Sequence, residues 1–515
     1  MNDIGKKASC IAVFGTGSDV GKSLLCTALC RLFANEGIRV APFKAQNMSN
    51  NSWVTCDGGE MGRAQVVQAE AARVIPHVDM NPVLLKPSAD TGSQIVLQGK
   101  VHGTCTSRDY WNGKEFLFAW ALESLERLRR GHDLIVIEGA GSCAEINLRD
   151  RDFVNFRMAH GAEAPVLLVA DIDRGGVFAQ IVGTMEVLPD EDRNRIAGIV
   201  INKFRGDASL FEDGISYIEE KTGIPVLGLV PWFYDIHIDS EDGVILDEQV
   251  TSEQIKCNYP LSLAIFKLPH ISNFTDFDVL MRNPAVKCEY LYHPASLGHY
   301  DAVILPGTKN VRFDIEWLRD RGWESHIHTY AQSGGMIIGI CGGYQMLGTV
   351  IDDTLGIEGE PGMTKGIGLL DVETELEPEK VLAQISGTSL VNGQRIEGYE
   401  IHMGRTRCGP AAEPAFHITM NNAENTDYTD GASNRNGTVW GTYIHGVFDN
   451  PGFRYAFLSN LSERNGKALP EQETETIMTY KDRQYDLLAR HFAACLDMSK
   501  IWRMTGLGPV DGNEK

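Results

Sequence analysis

Residues 10–23 read CIAVFGTGSDVGKS, and LLCTALCRLF follows with helical periodicity. The apolar run Cys10–Phe14 is a strand, and the loop behind it ends on Gly21, Lys22 and Ser23. A strand, a glycine-rich turn and a helix, in that order, aim backbone N–H groups and a helix N-terminus at a bound anion. Gly15, Thr16, Gly17, Ser18, Asp19, Val20, Gly21, Lys22 and Ser23 therefore form a cradle for nucleotide phosphates. Lys22 sets a cation beside the transferred phosphate, and the Ser23 hydroxyl suits Mg²⁺. Thr16 stands where the strict motif has Gly, so the loop is a variant.

Working outward, the same pattern recurs. Short continuous Val/Ile/Leu runs lie at Arg39–Phe43, Leu134–Ile137, Val166–Ala170, Gly198–Ile201 and Val226–Leu229. Runs without alternation are how parallel strands covered on both faces read. Polar loops follow at Lys44–Asn47, Glu138–Ser142, Asp171–Gly176 and Asn202–Gly206. Ligands of an open α/β sheet bind at the carboxyl ends of its strands, so these loops are expected to meet on one edge. Glu138, ending DLIVIE, is placed to hold Mg²⁺ or its water, or is a solvated strand end. Lys44 is placed between a γ-phosphate and an acceptor carboxylate, or is a surface lysine. Asn202 is placed to read a purine edge with paired donor and acceptor, or falls there by chance.

A polar stretch from Asp235 to Tyr259, containing IDSEDG and DEQVTSEQ, marks a boundary. The expected layout is a nucleotide-binding domain at 1–235, a linker at 236–260, a second α/β domain at 261–460 and a helical extension at 461–515. Strands of the second domain are expected at Ser262–Leu268, Ala302–Leu305, Met336–Ile340 and Val439–Ile444. YDLLARHFAACLDM has the period of an amphipathic helix that packs back on a core.

Residues 336–347 read MIIGICGGYQML. An apolar strand that ends on Cys341 between Gly339 and Gly343, with a helix behind, has the form of a nucleophile elbow. A thiol at a helix N-terminus is activated as a nucleophile. Backbone N–H groups near Gly307, at the end of AVILPG, and near Gly342 are placed to meet an oxyanion. His445, in VWGTYIHGVFDN, is placed to take the thiol proton and return it to departing ammonia.

Composition narrows the function classes. At roughly 150 residues per domain, 515 residues make two or three domains. A formal net charge of −22 argues against nucleic-acid binding, which needs a basic surface. The 11 cysteines are odd in number and show no CxxC pair, which fits buried thiols in a reducing cytoplasm. No run approaches a membrane span or a signal-peptide core, so no membrane partner is expected.

The first half resembles dethiobiotin synthetase and its relatives in GTGSDVGKS, Lys44, the EGAG at Glu138 and Asn202. That resemblance implies ATP on the loop, Mg²⁺ on Ser23 and Glu138, and phosphorylation of a substrate carboxylate. A further metal-binding Asp of those relatives has no counterpart after Lys44, where the chain reads AQNMSNNSW. The second half resembles class I glutamine amidotransferases, which are flavodoxin-like. Those enzymes carry a Glu two residues after the histidine, but this chain has Val447. A Cys341–His445 dyad oriented by other groups is therefore expected.

PFKAQNMSNNSWVT, NPVLLKPSADTGSQIVLQGK, VADIDRGGVFAQIVG, INKFRGD, LPGTKN, CGGYQMLG and GYEIHMGRT extend the likeness to nearly the full length. These segments resemble the cobyric acid synthase family. The resemblance implies two α/β domains, ATP, Mg²⁺ and glutamine as nitrogen donor. It implies amidation of the b, d, e and g carboxylates of adenosylcobyrinic acid a,c-diamide. Asp171–Gly176 and Lys86–Gln94 are expected near the corrin. Glu400 and His402, in GYEIHMG, line the site or the domain interface, or are structural. Two other readings stay open: a cobyrinic acid a,c-diamide synthase, and an ATPase switch with a degenerate amidase module. The oligomeric state is not legible.

Overall fold

In a computed structural model of the chain, residues 7–89, 92–106, 113–239, 260–468, 472 and 475–508 are described. The first sheet has six parallel strands in the order Val226–Pro231, Ile196–Phe204, Val166–Asp171, Ser9–Gly15, Leu134–Glu138, Val40–Phe43. Successive side chains point to opposite faces, and both faces are covered. Ala12, Phe14, Ile135 and Ile137 enter one core, while Ile11, Val13, Leu134 and Val136 enter the other. Burial on both sides is why these strands read as unbroken apolar runs.

Register brings the polar ends together. Val13 lies opposite Glu138, Phe43 opposite Ile137, and Asp171 opposite Asn202. Gly15, Lys44, Glu138, Asp171 and Asn202 thus leave the sheet at one edge. A smaller sheet, Gln46–Met48, Val83–Ala89, Gly92–Leu97 and Lys100–Thr106, stands beyond that edge. The pair Ser52–Val54 and Glu60–Gly62 lies beside it in the chain.

The second sheet has twelve strands. Val286–Leu291, Leu261–Phe266, Ala302–Leu305, Met336–Ile340 and Val439–Thr442 are parallel. An antiparallel extension continues from them through Glu424–Asn434, Ala412–Asn421, Val372–Ser389 and Arg395–Cys408. The sequence reading found no strands between 350 and 434, because these alternate buried and exposed residues. The expected strand Val439–Ile444 is broken at Tyr443, and Ile444–His445 turns away to pair with Tyr399–Glu400.

Most of the polar stretch 235–259 lies outside the described residues. Helix Ile477–Cys495 returns to the first sheet, where Tyr485, Leu488 and Phe492 join the core of helix Lys22–Asn35. Fully buried Arg31 on that helix holds Asp482 at 2.6 Å and Asp486 at 2.7 Å. Gly228 lets the two segments touch, because a Cβ there would lie 2.2 Å from the Cys495 carbonyl oxygen. Among the described residues, no helix is long and apolar enough to cross a membrane.

Candidate functional site

The phosphate loop closes tightly around Lys22. Gly21 has φ 101° and Asp19 φ 57°, left-handed conformations that hold the turn before the helix. Lys22 Nζ donates to the carbonyls of Gly17 at 2.8 Å and Gly141 at 2.9 Å. Thr16 Oγ1 donates to Gln180 Oε1 at 3.3 Å, while Ser18 and Asp19 are exposed. Asn202 donates from Nδ2 to the Val20 carbonyl at 2.9 Å, so one of its amide hydrogens braces the loop.

Glu138 is the hub of this edge and is 1% exposed. Its Oε1 accepts from Ser23 Oγ at 2.8 Å and Lys44 Nζ at 3.0 Å. Its Oε2 accepts from Gln68 Nε2 at 2.5 Å, with Gln65 Nε2 at 3.5 Å. Neither Glu138 nor Lys44 is the solvated surface group that the sequence left open. Gln65 and Gln68 were not singled out; they come from helix Arg63–Ala71, and only the three-dimensional packing brings them here. Among the described residues, no cluster of three or more His, Cys, Asp or Glu side chains forms a metal cage. A hydroxyl beside a carboxylate nonetheless suits Mg²⁺, which takes few protein oxygens and fills its shell with water and phosphate.

The second centre is built on strain. Cys341 sits between strand Met336–Ile340 and helix Gly342–Leu347 with φ 51° and ψ −108°. Such backbone conformations cost about 1–3 kcal/mol and persist where surrounding structure enforces them. Here glycines permit them. A Cβ on Gly343 would lie 2.0 Å from the Leu305 carbonyl oxygen, and one on Gly339 2.6 Å from Tyr344 N. Cys341 Sγ donates to the Ile401 carbonyl at 3.6 Å.

His445 is 1% exposed, and the Cys341 side chain is among the groups that raise its pKa. Its Nδ1 lies 2.6 Å from Asp276 Oδ2, and the other carboxylate oxygen accepts from Gly446 N at 3.0 Å. Asp276 therefore fixes the ring and leaves Nε2 for the thiol. Burial pulls the imidazole pKa down, but the Asp276 carboxylate and the Cys341 side chain outweigh it and lift it to about 10. Val447, where related enzymes carry Glu, is buried in the apolar core. A Cβ on Gly307 would lie 3.2 Å from His445 Cε1, and one on Gly342 3.0 Å from Thr308 N. Gly307, Gly342, Cys341 and His445 thus come together as the sequence suggested. Asp276 is not marked in the sequence; it lies in the short buried helical turn Phe274–Phe277, beyond strand Leu261–Phe266.

Buried polar groups lie where the two domains meet. Glu60, fully buried, accepts from Lys86 at 2.7 Å, Ser52 at 2.9 Å and Lys380 of the second domain at 2.5 Å. Lys309, from LPGTKN, donates to Gln94 Oε1 at 3.2 Å. Of Lys86 and Gln94, expected near a corrin, Gln94 contacts the second domain while Lys86 holds Ser52 and Glu60 of its own; residues 90–91 between them lie outside the described residues. Glu400 accepts from Tyr428 at 3.1 Å, and burial raises its pKa to about 8. His402 Nδ1 donates to the Gly404 carbonyl at 2.8 Å, and the ring stacks on Tyr443.

Comparison with known proteins agrees with both halves. Residues 11–244 match the family described as the CobQ/CobB/MinD/ParA nucleotide binding domain. Residues 262–453 match the CobB/CobQ-like glutamine amidotransferase domain. A cobyric acid synthase of Chlorobium phaeobacteroides (strain BS1) is 54% identical over 97% of this chain and 99% of its own length. That of Chlorobaculum tepidum is 52% identical over 96% of this chain and 98% of its own. That of Dehalococcoides mccartyi (strain CBDB1) is 48% identical over 97% and 99%.

Proposed function

The chain belongs to the cobyric acid synthase family, and on that premise we propose that it amidates the b, d, e and g carboxylates of adenosylcobyrinic acid a,c-diamide, using ATP and glutamine. The observation that carries this reading is the pairing of two centres in one chain. Cys341, His445 and Asp276 form a glutaminase site, and Lys22, Ser23, Lys44 and Glu138 a phosphoryl-transfer site.

A carboxylate is a poor electrophile, so the first step makes it reactive. The γ-phosphoryl group of ATP passes to a substrate carboxylate oxygen, giving an acyl phosphate and ADP. Lys22 and Lys44 neutralise the charge that gathers on the moving group. Gly15, Thr16, Gly17, Ser18, Asp19, Val20 and Gly21 wrap the phosphates, and Asn202 holds the loop through the Val20 carbonyl. Ser23 and Glu138 would hold Mg²⁺, which when bound shields the phosphate oxygens.

Nitrogen comes from the other centre. The Cys341 sulfur attacks the carboxamide carbon of glutamine with the thiol proton already held on His445, whose raised pKa keeps the ring protonated. Backbone N–H groups at Gly307–Thr308 and Gly342 meet the oxyanion. His445 then protonates the leaving ammonia, and water hydrolyses the thioester to glutamate. Ammonia moves inside the protein to the acyl phosphate and displaces phosphate, leaving a carboxamide. Direct transfer keeps it from being protonated in water. The reading fits a cytoplasmic enzyme. Glutamine hydrolysis coupled to ATP cleavage and corrin amidation tests it; ATP turnover without glutamine hydrolysis would refute it.

A further inference from the structure

The residue that fixes His445 is itself held by the other domain. Asp276 lies in Phe274–Phe277, entered through Asn273, which adopts φ 51°. Asn273 Oδ1 accepts from Ser52 N at 3.1 Å, and its Nδ2 donates to Tyr399 Oη at 3.1 Å. Tyr399 Oη donates in turn to the Ser52 carbonyl at 3.4 Å. Thr275 Oγ1 donates to Asn51 Oδ1 at 3.4 Å. The Tyr399 ring lies between Trp53, at 4.4 Å, and His445, on which it stacks at 5.2 Å and 20°. All of these groups are buried except Trp53 and Thr275, which are half-buried.

The same segment reaches back to the phosphate edge. The Asn51 carbonyl accepts from Arg63 N at 3.1 Å, at the start of the helix that carries Gln65 and Gln68 to Glu138. Asn47, upstream, donates to Gln65 at 3.0 Å. A continuous set of contacts therefore runs from Glu138 through Gln65, Arg63 and Asn51–Trp53 to Tyr399, Asp276 and His445. A continuous path of packed and hydrogen-bonded groups is a physical means of coupling two sites.

We propose that Tyr399 and Asn273 are positioning residues through which Asn51–Trp53 of the nucleotide-binding domain sets His445, so that filling the synthase site speeds glutamine hydrolysis. This rests on the two-centre reading above. Neither residue touches the reacting atoms. Nucleotide and corrin settle the Glu138 edge, the segment docks, and Asp276 and the Tyr399 ring hold the imidazole in line with Cys341. Ammonia is then made only when an acceptor waits for it.

The test is glutamate release by the full chain, with and without ATP, Mg²⁺ and the corrin diamide. Tyr399→Phe keeps the ring against His445 and removes only the hydroxyl that binds Ser52 and Asn273. Asn273→Gly keeps the left-handed backbone and removes the side chain. Coupling between sites commonly amounts to about 5–150-fold. The wild type should show stimulation of that order in kcat. Both variants should lose most of it, with KM for glutamine little changed and ammonium-supported amidation intact. Wild-type stimulation in both variants overturns the proposal, as does an unstimulated wild type or a parallel fall of both activities. A wild type that neither hydrolyses glutamine nor amidates the corrin refutes the two-centre reading instead.

Discussion

The Asp276 carboxylate lies 2.6 Å from Nδ1 of His445, although 169 residues separate them in the chain. Asp276→Asn keeps the shape and removes the charge that orients the ring. Loss of the equivalent carboxylate in a serine protease triad lowers turnover about 10⁴-fold. A fall of roughly 10²–10⁴-fold in glutaminase kcat is expected, measured as glutamate release.

The same pair fixes a pH dependence. The folded-state pKa of His445 is raised from 6.5 to about 10, so folding favours the protonated ring. Its contribution to stability is full below pH 6.5 and is lost as pH rises through about 10. Thermal melts of the wild type should show that alkaline loss. In Asp276→Asn burial acts with only the Cys341 side chain against it, and this part of the decline should shrink.

Glu138→Gln should damage the phosphate edge and the fold together. The exchange leaves the ammonium of buried Lys44 without its carboxylate. Removing one partner of a buried pair costs about 3–5 kcal/mol, which denaturant titration would detect. Amidation should disappear with either nitrogen source. Lys22→Ala should abolish amidation as well.

Cys341→Ala should abolish glutamine use yet leave amidation supported by high external ammonium. Gly343→Ala should give the same split, because its methyl group would meet the Leu305 carbonyl at 2.0 Å and distort the elbow. Overpacking of this kind typically costs about 1–3 kcal/mol, readable in the melting temperature.

Much of this was legible in the sequence because the first sheet and the parallel part of the second are buried. Unbroken apolar runs located the strands, and the polar residues at their ends located Lys22, Lys44, Glu138, Cys341 and His445. Asp276 is not legible there because the amidotransferase pattern puts its carboxylate two residues after His445, where this chain has Val447 in the core. It lies in the short helical turn Phe274–Phe277, well past the end of Leu261–Phe266, so strand-end logic does not reach it. Gln65 and Gln68 carry no such mark, since they reach Glu138 from a helix face. The strands from Val350 to Asn434 were hidden by alternation, as in the VETEL of Val372–Leu376, where every second residue faces water.

Mass spectrometry of the corrin formed with ATP, Mg²⁺ and amide-labelled glutamine tests the joined chemistry most directly. The expected product carries four new carboxamides, each holding the label, even with unlabelled ammonium in the medium. A product with only two, or with unlabelled nitrogen throughout, would contradict it.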